Sequence, residues 1–443
     1  MLSNNYTINK VFIYSPKTSN RLRYIVNTLF TRIIGLETSL TNDEAEFKSS
    51  ELIKINYSNK TIDDCLHIIP HSVLFDYGIK DYLVEVYPND TYFKYFFKNN
   101  SGDIPFDFFG AAFWLLSRYE EYLPFKANKY NVFDHRSSLA WQNDFLDKPL
   151  VNLWCAEFSK VLKHKFPAIK FKPNNFKAIT TIDIDNVYKF KHKGFVRSLA
   201  GVASDIRYGN FAQLKQRLKT TLFGKTDEFD CYEYLVSTNK KNKTQAIYFF
   251  LLGDYGMNDK NHPSSNLTFQ KLMKHLADYS LTGIHPSFAS NFNTQQLKIE
   301  IARLGGITHK EVVHSRQHFG MLKFPTTYKN LIQSGIKNDY SLGYTNINGF
   351  RASVCNPFKW YDIVLEQESP LELHPFCLGD VCLDKQSGSD TSKAIEIVAS
   401  YVKTIKFFNG QFIIVFHNDM LANNPKGQQW RALYEHMNSI VNS

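Results

Sequence analysis

Two carboxylates separated by a single residue end an apolar, β-branched stretch at residues 178–186. The stretch predicts a buried strand, and alternate side chains of a strand share a face, so Asp183 and Asp185 point the same way. Close carboxylates repel each other unless a positive charge lies beside them. A divalent metal supplies that charge, with one carboxylate as ligand and the other as base. Two solvated acids at a strand end are the alternative.

Histidine and arginine residues recur at the ends of later apolar runs, where chemistry collects in βα barrels. They are His285, Arg316, His318, Arg351 and His417. One aspartate and two histidines suit Zn²⁺ and leave a position open for water. We therefore expect Asp185, His285 and His318 to bind a divalent metal, and histidine-rich ligation favours Zn²⁺ over Mg²⁺.

The remaining residues can be given roles around that metal. Bound water would have its pKa lowered to about 7. Asp183 is the expected base, taking a proton as the water attacks a carbonyl, and His417 is the expected acid for the departing group. Arg351 is expected to hold Asp183 ionised and correctly turned.

From Lys177 onward the pattern alternates between strands and helices, which predicts parallel strands covered by helices in a barrel or an open sheet. Strands are predicted at 178–184, 246–252, 281–284, 310–315, 349–351 and 411–416. Helices are predicted at 268–279, 295–304, 325–333, 392–406 and 428–441. No glycine-rich nucleotide-binding motif occurs.

The first part of the chain reads as a separate α/β unit. Strands are predicted at 10–14 and 65–69, and helices at 22–34 and 108–123. Residues 167–175, with two prolines and two asparagines, are typical of a linker. Because 443 residues exceed the usual size of one domain, we expect an N-terminal domain at 1–175 and a catalytic domain at 176–443.

The formal net charge is +10, and residues 186–245 alone carry 12 basic and 5 acidic residues. That segment indicates an anionic partner, such as an acidic glycan, a phosphorylated lipid carrier or a membrane surface, or it is simply a solvated basic face. Lys189, Lys191 and Lys193 are expected near the mouth of the site. Nucleic acid is not expected, since the basic residues form no reading motif.

Six cysteines without framework spacing indicate free thiols in a reducing compartment. Residues 1–12 lack the pattern of a secretory leader, and no apolar run reaches about 18 residues. A cytoplasmic location without a transmembrane segment is the expectation.

Residues 177–443 resemble the polysaccharide deacetylase family, carbohydrate esterase family four. Thr181-Ile-Asp-Ile-Asp185 is similar to that family's first motif, in which the first Asp is the base and the second a metal ligand. Gly283-Ile-His-Pro-Ser287 is similar to the start of the second, Gly349-Phe-Arg351 to the third and Val415-Phe-His417 to the last. Residues 1–175 resemble the N-terminal extension of some large bacterial members.

The resemblance implies a distorted (β/α) barrel, preceded by a smaller α/β domain, that uses a metal-bound water to remove acetyl groups from amino sugars. It also implies an acid beside His417, for which Asp380 is the candidate and Glu372 and His374 are rivals. The family's second motif carries a further His where this chain has Ala289. Either His318 or His314 replaces it from the neighbouring strand, or the metal site is incomplete.

The resulting prediction is a carbohydrate deacetylase, that is, a hydrolase of linear amides. Its expected substrate is an acetylated glycan or a lipid-linked sugar, and the basic segment indicates that this substrate is anionic. An O-acetyl esterase using the same site is one alternative. A barrel that has lost its metal and binds an anionic glycan or lipid phosphate without catalysis is the other, motivated by Ala289 and by the basic segment 186–245. The sugar, the acetyl position and the oligomeric state stay open.

Overall fold

A computed structural model describes residues 9–172 and 174–442. That description leaves out residues 1–8, which make up most of the N-terminal stretch tested above for a secretory leader. It also leaves out residue 173 of the expected linker. The strands are β1 Lys10–Tyr14, β2 Glu37–Thr41, β3 Ile53–Tyr57, β4 Leu66–Ile68, β5 Tyr87–Asn89, β6 Phe93–Tyr95, β7 Lys177–Ile184, β8 Gln245–Phe250, β9 Leu281–Ile284, β10 His314–Ser315, β11 Asn338–Asp339, β12 Phe358–Asp362, β13 Gln367–Leu373, β14 Leu378–Gly379 and β15 Gln411–His417.

The α-helices lie between these strands and after the last of them. They are α1 Asn20–Val26, α2 Glu44–Ser49, α3 Phe108–Leu116, α4 Leu139–Gln142, α5 Leu150–Lys165, α6 Phe195–Arg207, α7 Phe211–Thr221, α8 Tyr232–Asn242, α9 Leu267–Tyr279, α10 Thr294–Thr308, α11 Thr326–Gln333, α12 Asp380–Ser387, α13 Thr391–Phe407 and α14 Pro425–Asn442. The alternation of strand and helix expected after residue 177 is confirmed.

The N-terminal sheet is parallel, in the order β2-β1-β3-β4. Helix α3 beside it is apolar on every side, and all nine of its residues are buried. Such a helix has no solvent face and must lie inside the fold. Its N-terminus is fixed by Asp107, whose carboxylate accepts the Gly110 backbone N–H at 3.0 Å.

The larger sheet has nine strands within the described residues, in the order β12-β13-β11-β10-β9-β8-β7-β15-β14. Only the edge pair β12–β13 is antiparallel. Strand β7 lies between β8 and β15, and its last six residues are buried. This is the burial expected of a parallel strand covered on both faces. The strands expected at 178–184, 246–252, 281–284 and 411–416 are confirmed with small shifts at their ends, whereas only His314–Ser315 of the strand expected at 310–315 forms a strand.

One short segment connects two distant strands of this sheet. The His374 backbone N–H donates to the Asp339 carbonyl on β11, and three residues later the Cys377 N–H donates to the Ile413 carbonyl on β15. Strands β11 and β15 are separated by four others in the sheet order.

The strand predicted at 349–351 is wrong. Gly349 has φ +146°, and a Cβ there would lie 2.7 Å from the Leu146 side chain. The Phe350 N–H donates to the Leu146 carbonyl at 2.8 Å, so this segment hydrogen-bonds an N-terminal loop instead of a sheet partner. The apolar residues that indicated a strand are buried against that loop.

The two halves of the chain share one continuous hydrophobic core that contains side chains from Val11 to Val441. Buried ion pairs also join them, including Arg21 with Glu366. The division into domains at residue 175 stays a prediction. No helix among the described residues has the length and apolarity needed to span a membrane.

Candidate active site

The ends of four strands from one side of the larger sheet, β10, β9, β7 and β15, bring the chemically active side chains together at one cavity of about 680 Å³. Asp183 lies in β7 in register with His417 of β15. Asp185 follows β7 directly, and His285 follows β9. Strand β10 pairs with β9 and is followed by Arg316 and His318. Parallel strands present their carboxyl ends at the same edge, which is why residues far apart in sequence meet here.

Asp185, His285 and His318 offer one ligand atom each, and these atoms all lie within 4.8 Å of one another. His285 Nε2 is 3.2 Å from one Asp185 oxygen, and His318 Nε2 is 3.6 Å from the other. Asp183 lies close by, with an oxygen 4.0 Å from His285 Nε2. The structure therefore gathers the three residues that the sequence predicted as metal ligands.

Both imidazoles are held so that Nε2 faces this cluster. His285 Nδ1 lies 2.5 Å from the Arg316 carbonyl oxygen, and His318 Nδ1 lies 3.1 Å from an Asp259 oxygen. A histidine that donates its Nδ1 proton presents the Nε2 lone pair, the arrangement common at metal ligands. One oxygen of Asp183 and one of Asp185 are buried without a hydrogen-bond donor. A divalent cation fits this set of donors.

The charges within this cluster shift the pKa values of Asp185 and His318. Burial alone would raise the pKa of Asp185, but the two imidazoles beside it outweigh burial and lower the pKa well below its usual range. Burial alone would lower the pKa of His318, but Asp185 and Asp259 outweigh it and raise the pKa to about 9. A metal that uses His318 must displace this proton, so its affinity falls as pH falls.

Asp259 and the backbone near residue 289 were missed by the sequence analysis. Asp259 accepts the Phe288 N–H at 2.9 Å and the His318 imidazole, so it joins the loops after β9 and β10. The Ala289 N–H points to the same carboxylate at 3.4 Å. His318, the first of the two replacements considered, occupies the cluster, whereas His314 packs against Tyr340. The polar loop after β8 carried no periodic signal that could identify Asp259.

The assignment of Arg351 to Asp183 is wrong. Arg351 is buried against Glu121, with Nε–Oε1 and Nη2–Oε2 distances of 2.9 and 2.6 Å. Arg316 instead lies beside Asp183, with Nε 3.4 Å from Oδ1, and its Nη2 donates to Thr181 at 2.8 Å. The turn at Gly349 directs Arg351 towards the N-terminal part of the chain.

Asp380 is the acid beside His417, and the rivals Glu372 and His374 lie elsewhere. An Asp380 oxygen lies 2.9 Å from His417 Nδ1, and the other accepts the His417 backbone N–H at 2.6 Å. Burial alone would lower the pKa of His417, but the fully buried Asp380 carboxylate outweighs it and raises the pKa well above its usual value. His417 therefore stays protonated at neutral pH, and within the described residues no hydrogen bond occupies its Nε2.

The N-terminal part of the chain supplies one wall of the cavity, through residues 127–130, Asp134 and Arg136. Asp134 and Arg136 form an ion pair, with Arg136 Nε 2.8 Å from Asp134 Oδ1. Tyr130 stacks on Phe319 at 5.0 Å, and Phe319 stacks on the His318 ring at 3.9 Å. Lys129 lies 4.8 Å from the Tyr130 ring centre.

The lysines expected at the mouth of the site are elsewhere. Lys189 pairs with Glu228 at 2.8 Å, and neither it nor Lys191 nor Lys193 is among the residues that line the cavity. Asp227 accepts the backbone N–H groups of residues 189–191 and turns this segment into a separate loop. The prediction that placed these lysines at the mouth is wrong.

Comparison with known proteins gives one match to a protein family. A family of unknown function, DUF7033, matches residues 11–167. No curated protein matches the chain.

Several solved structures are similar over about 60% of the chain. A presumed polysaccharide deacetylase from Mycobacterium smegmatis is 13% identical over 62% of this chain and 88% of its own, with a TM-score of 0.39. A family 4 carbohydrate esterase from Streptomyces lividans is 10% identical over 60% of this chain and 88% of its own, with a TM-score of 0.30. A CE4 family pseudoenzyme from Bacillus anthracis is 9% identical over 60% and 63%, with a TM-score of 0.27. Identities and TM-scores this low carry no conclusion about activity, which rests on the side chains of this chain.

Proposed function

We propose that this chain is a metal-dependent hydrolase that removes acetyl groups from N-acetylated sugars of a glycan. The observation that carries the proposal is the convergence of Asp185, His285 and His318 within 4.8 Å. Asp183 and His417 line the same cavity. The order of the motifs along the sequence supports the same conclusion. The alternative, a barrel that binds a glycan without catalysis, is less favoured, because His318 gives the cluster a second imidazole although residue 289 is Ala.

Each side chain has a role that its surroundings support. Asp185, His285 and His318 would hold a divalent metal, and Zn²⁺ suits their chemistry; when bound, it supplies a Lewis acid that acidifies water and polarises a carbonyl. Asp183, buried beside Arg316, takes the proton of the attacking water. His417 donates its Nε2 proton to the departing nitrogen, and Asp380 keeps the ring charged and oriented.

An anionic substrate fits the charges at the cavity wall. Five cationic or imidazole side chains there have carboxylate partners: Arg136 with Asp134, Arg316 with Asp183, His285 and His318 with Asp185, and His417 with Asp380. In the described part of the chain, Lys129 has only the Tyr130 ring beside it. A carboxylate or phosphate on the sugar, or the phosphate of a lipid-linked sugar, would complete this pair.

We also infer that the larger sheet closes into a distorted barrel. The segment 374–377 bonds to β11 through Asp339 and to β15 through Ile413. A single extended segment reaches both strands only if the sheet curls until they are near neighbours. This geometry supports the barrel expected from the resemblance.

Acetate release from N-acetylated oligosaccharides, measured with added Zn²⁺, tests the proposed function. Asp183→Asn should reduce turnover by at least about 100-fold, because it removes a general base, while the metal content stays near one ion per chain. His318→Ala should lose the metal and the activity together. The matched control is Asp254→Asn, because Asp254 is an exposed carboxylate just beyond β8.

The outcomes separate the assignments. Full activity in Asp183→Asn would contradict the base, and full metal occupancy in His318→Ala would contradict the ligand set. Comparison of N-acetylated with O-acetylated sugars distinguishes amide from ester hydrolysis. Acetate released only from the esters would replace the deacetylase with an O-acetyl esterase.

A further inference from the structure

The basic hairpin, which we define as residues 195–223 with helices α6 and α7, has an unusual distribution of polarity. The buried side chains of its two helices are polar: Asp205 in α6, and Arg217 and Thr220 in α7. Asp205 pairs with Arg217 at 2.7 Å. The large apolar side chains are instead exposed: Phe195, Val196, Leu199, Ile206, Tyr208, Phe211, Leu218, Leu222 and Phe223.

In the described part of the chain, most of these apolar side chains are more than half exposed to solvent. Phe195 is 78% exposed, Leu222 71% and Phe223 77%. Scattered apolar side chains on a surface are ordinary, but a contiguous group on one element marks a surface that binds something. In α6, Phe195, Leu199 and Ile206 are spaced by four and seven residues, so they lie along one face of the helix.

The same hairpin is strongly cationic. Arg197, Arg207, Lys215 and Lys219 have no carboxylate partner among the described residues, and the one acidic residue, Asp205, is neutralised by Arg217. A second copy of this surface would meet it with like charge, which disfavours self-association. An anionic lipid surface complements both properties, since its headgroups attract the cations and its acyl chains accept the apolar side chains.

We propose that the basic hairpin docks this protein onto an anionic membrane surface. Basic side chains combined with aromatic and aliphatic ones are typical of helices that lie in the plane of a bilayer interface. Phe195 follows Asp185 by ten residues, so the docked hairpin begins within about 35 Å of the cavity. Resting on the proposed function, this placement directs the enzyme to sugars attached to lipid carriers.

Vesicle flotation of the full chain tests the docking without any substrate, so its outcome is independent of the deacetylase proposal. The probes are vesicles of phosphatidylcholine alone and vesicles with 30 mol% phosphatidylglycerol, a composition of about one anionic lipid in three. The wild-type protein should float with the anionic vesicles, and raising NaCl should weaken the association. Replacing Phe195, Leu222 and Phe223 by Ser should weaken binding by at least about tenfold.

A charge variant and two matched controls complete the design. Replacing Arg207, Lys215 and Lys219 by Gln should weaken binding roughly fivefold for each residue. The apolar control replaces Tyr77, Leu83 and Phe407 by Ser, since these are 76%, 86% and 73% exposed outside the hairpin. The charge control replaces the exposed Lys298, Lys393 and Lys403 by Gln. Both controls should float like the wild type.

Three results would overturn the proposal. The first is a wild-type protein that does not float with the anionic vesicles. The second is a hairpin variant that floats as well as its control. The third is light scattering that shows a dimer abolished by the three Ser substitutions, because the occupant would then be a second copy. Circular dichroism and metal content confirm that each variant is folded.

Discussion

Glu121→Gln should strongly destabilise this protein, because Glu121 is at the centre of a buried charge network. It accepts from Arg118 Nε at 2.8 Å and from Arg351 Nε and Nη2 at 2.9 and 2.6 Å. Glu120 is the fourth member, at 2.7 Å from Arg118. Two cations and two anions balance, so neutralising Glu121 leaves two buried guanidinium groups with one carboxylate.

The size of the effect follows from that imbalance. Breaking a buried ion pair by removing one partner costs about 3–5 kcal/mol, since the remaining charge is left uncompensated away from water. Urea denaturation followed by tryptophan fluorescence measures the free energy of unfolding. Glu157→Gln is the matched control, because Glu157 pairs with Lys160 at the surface; its stability should stay within about 0.5 kcal/mol of the wild type.

The same network distinguishes the roles of Arg351 and Arg316, because only Arg316 lies beside Asp183. Arg351→Gln should lower stability, yet the folded protein should keep its turnover, since Arg351 contacts Glu121 rather than Asp183. Arg316→Gln should reduce turnover about 10–100-fold, as expected for a residue that positions a catalytic group. Our reasoning would be refuted if Glu121→Gln unfolded like Glu157→Gln, or if Arg351→Gln lost turnover while it stayed folded.

Three further predictions concern the cavity. Asp259→Asn should weaken Zn²⁺ binding about 10–100-fold in a chelator competition, because it removes the carboxylate that orients His318; affinity equal to that of Asp254→Asn would contradict this role. Asp380→Asn should lower the pKa of His417, so the alkaline limb of kcat/KM, where the acid loses its proton, should move to lower pH; an unmoved limb would exclude His417 as the acid. Lys129→Gln should reduce the preference for a uronate-containing over a neutral acetylated oligosaccharide about tenfold, whereas Lys126→Gln, on an exposed lysine that does not line the cavity, should not.

The sequence by itself determined the local features of this protein. Period and composition located β7, β8, β9 and β15 and the helices α9, α10, α11, α13 and α14, because apolar periodicity reflects burial directly. The sequence did not predict helices α6, α7, α8 and α12. Reading the residues that follow predicted strands identified Asp185, His285 and His318, which the structure places in one cluster. It also brought forward Asp183 and His417, which lie in register on adjacent strands.

Only the tertiary structure decided which distant groups meet. Arg351 and Arg316 look equivalent in sequence, each following a short apolar run, but the turn at Gly349 directs one to Glu121 and the strand β10 directs the other to Asp183. Asp259 lies in a loop without periodicity, and its importance comes from contacts with residues about 30 and 60 positions away. The wall formed by residues 127–130 is likewise set by packing between the two halves of the chain. Local patterns record burial, whereas side-chain partners depend on how the whole chain folds back on itself.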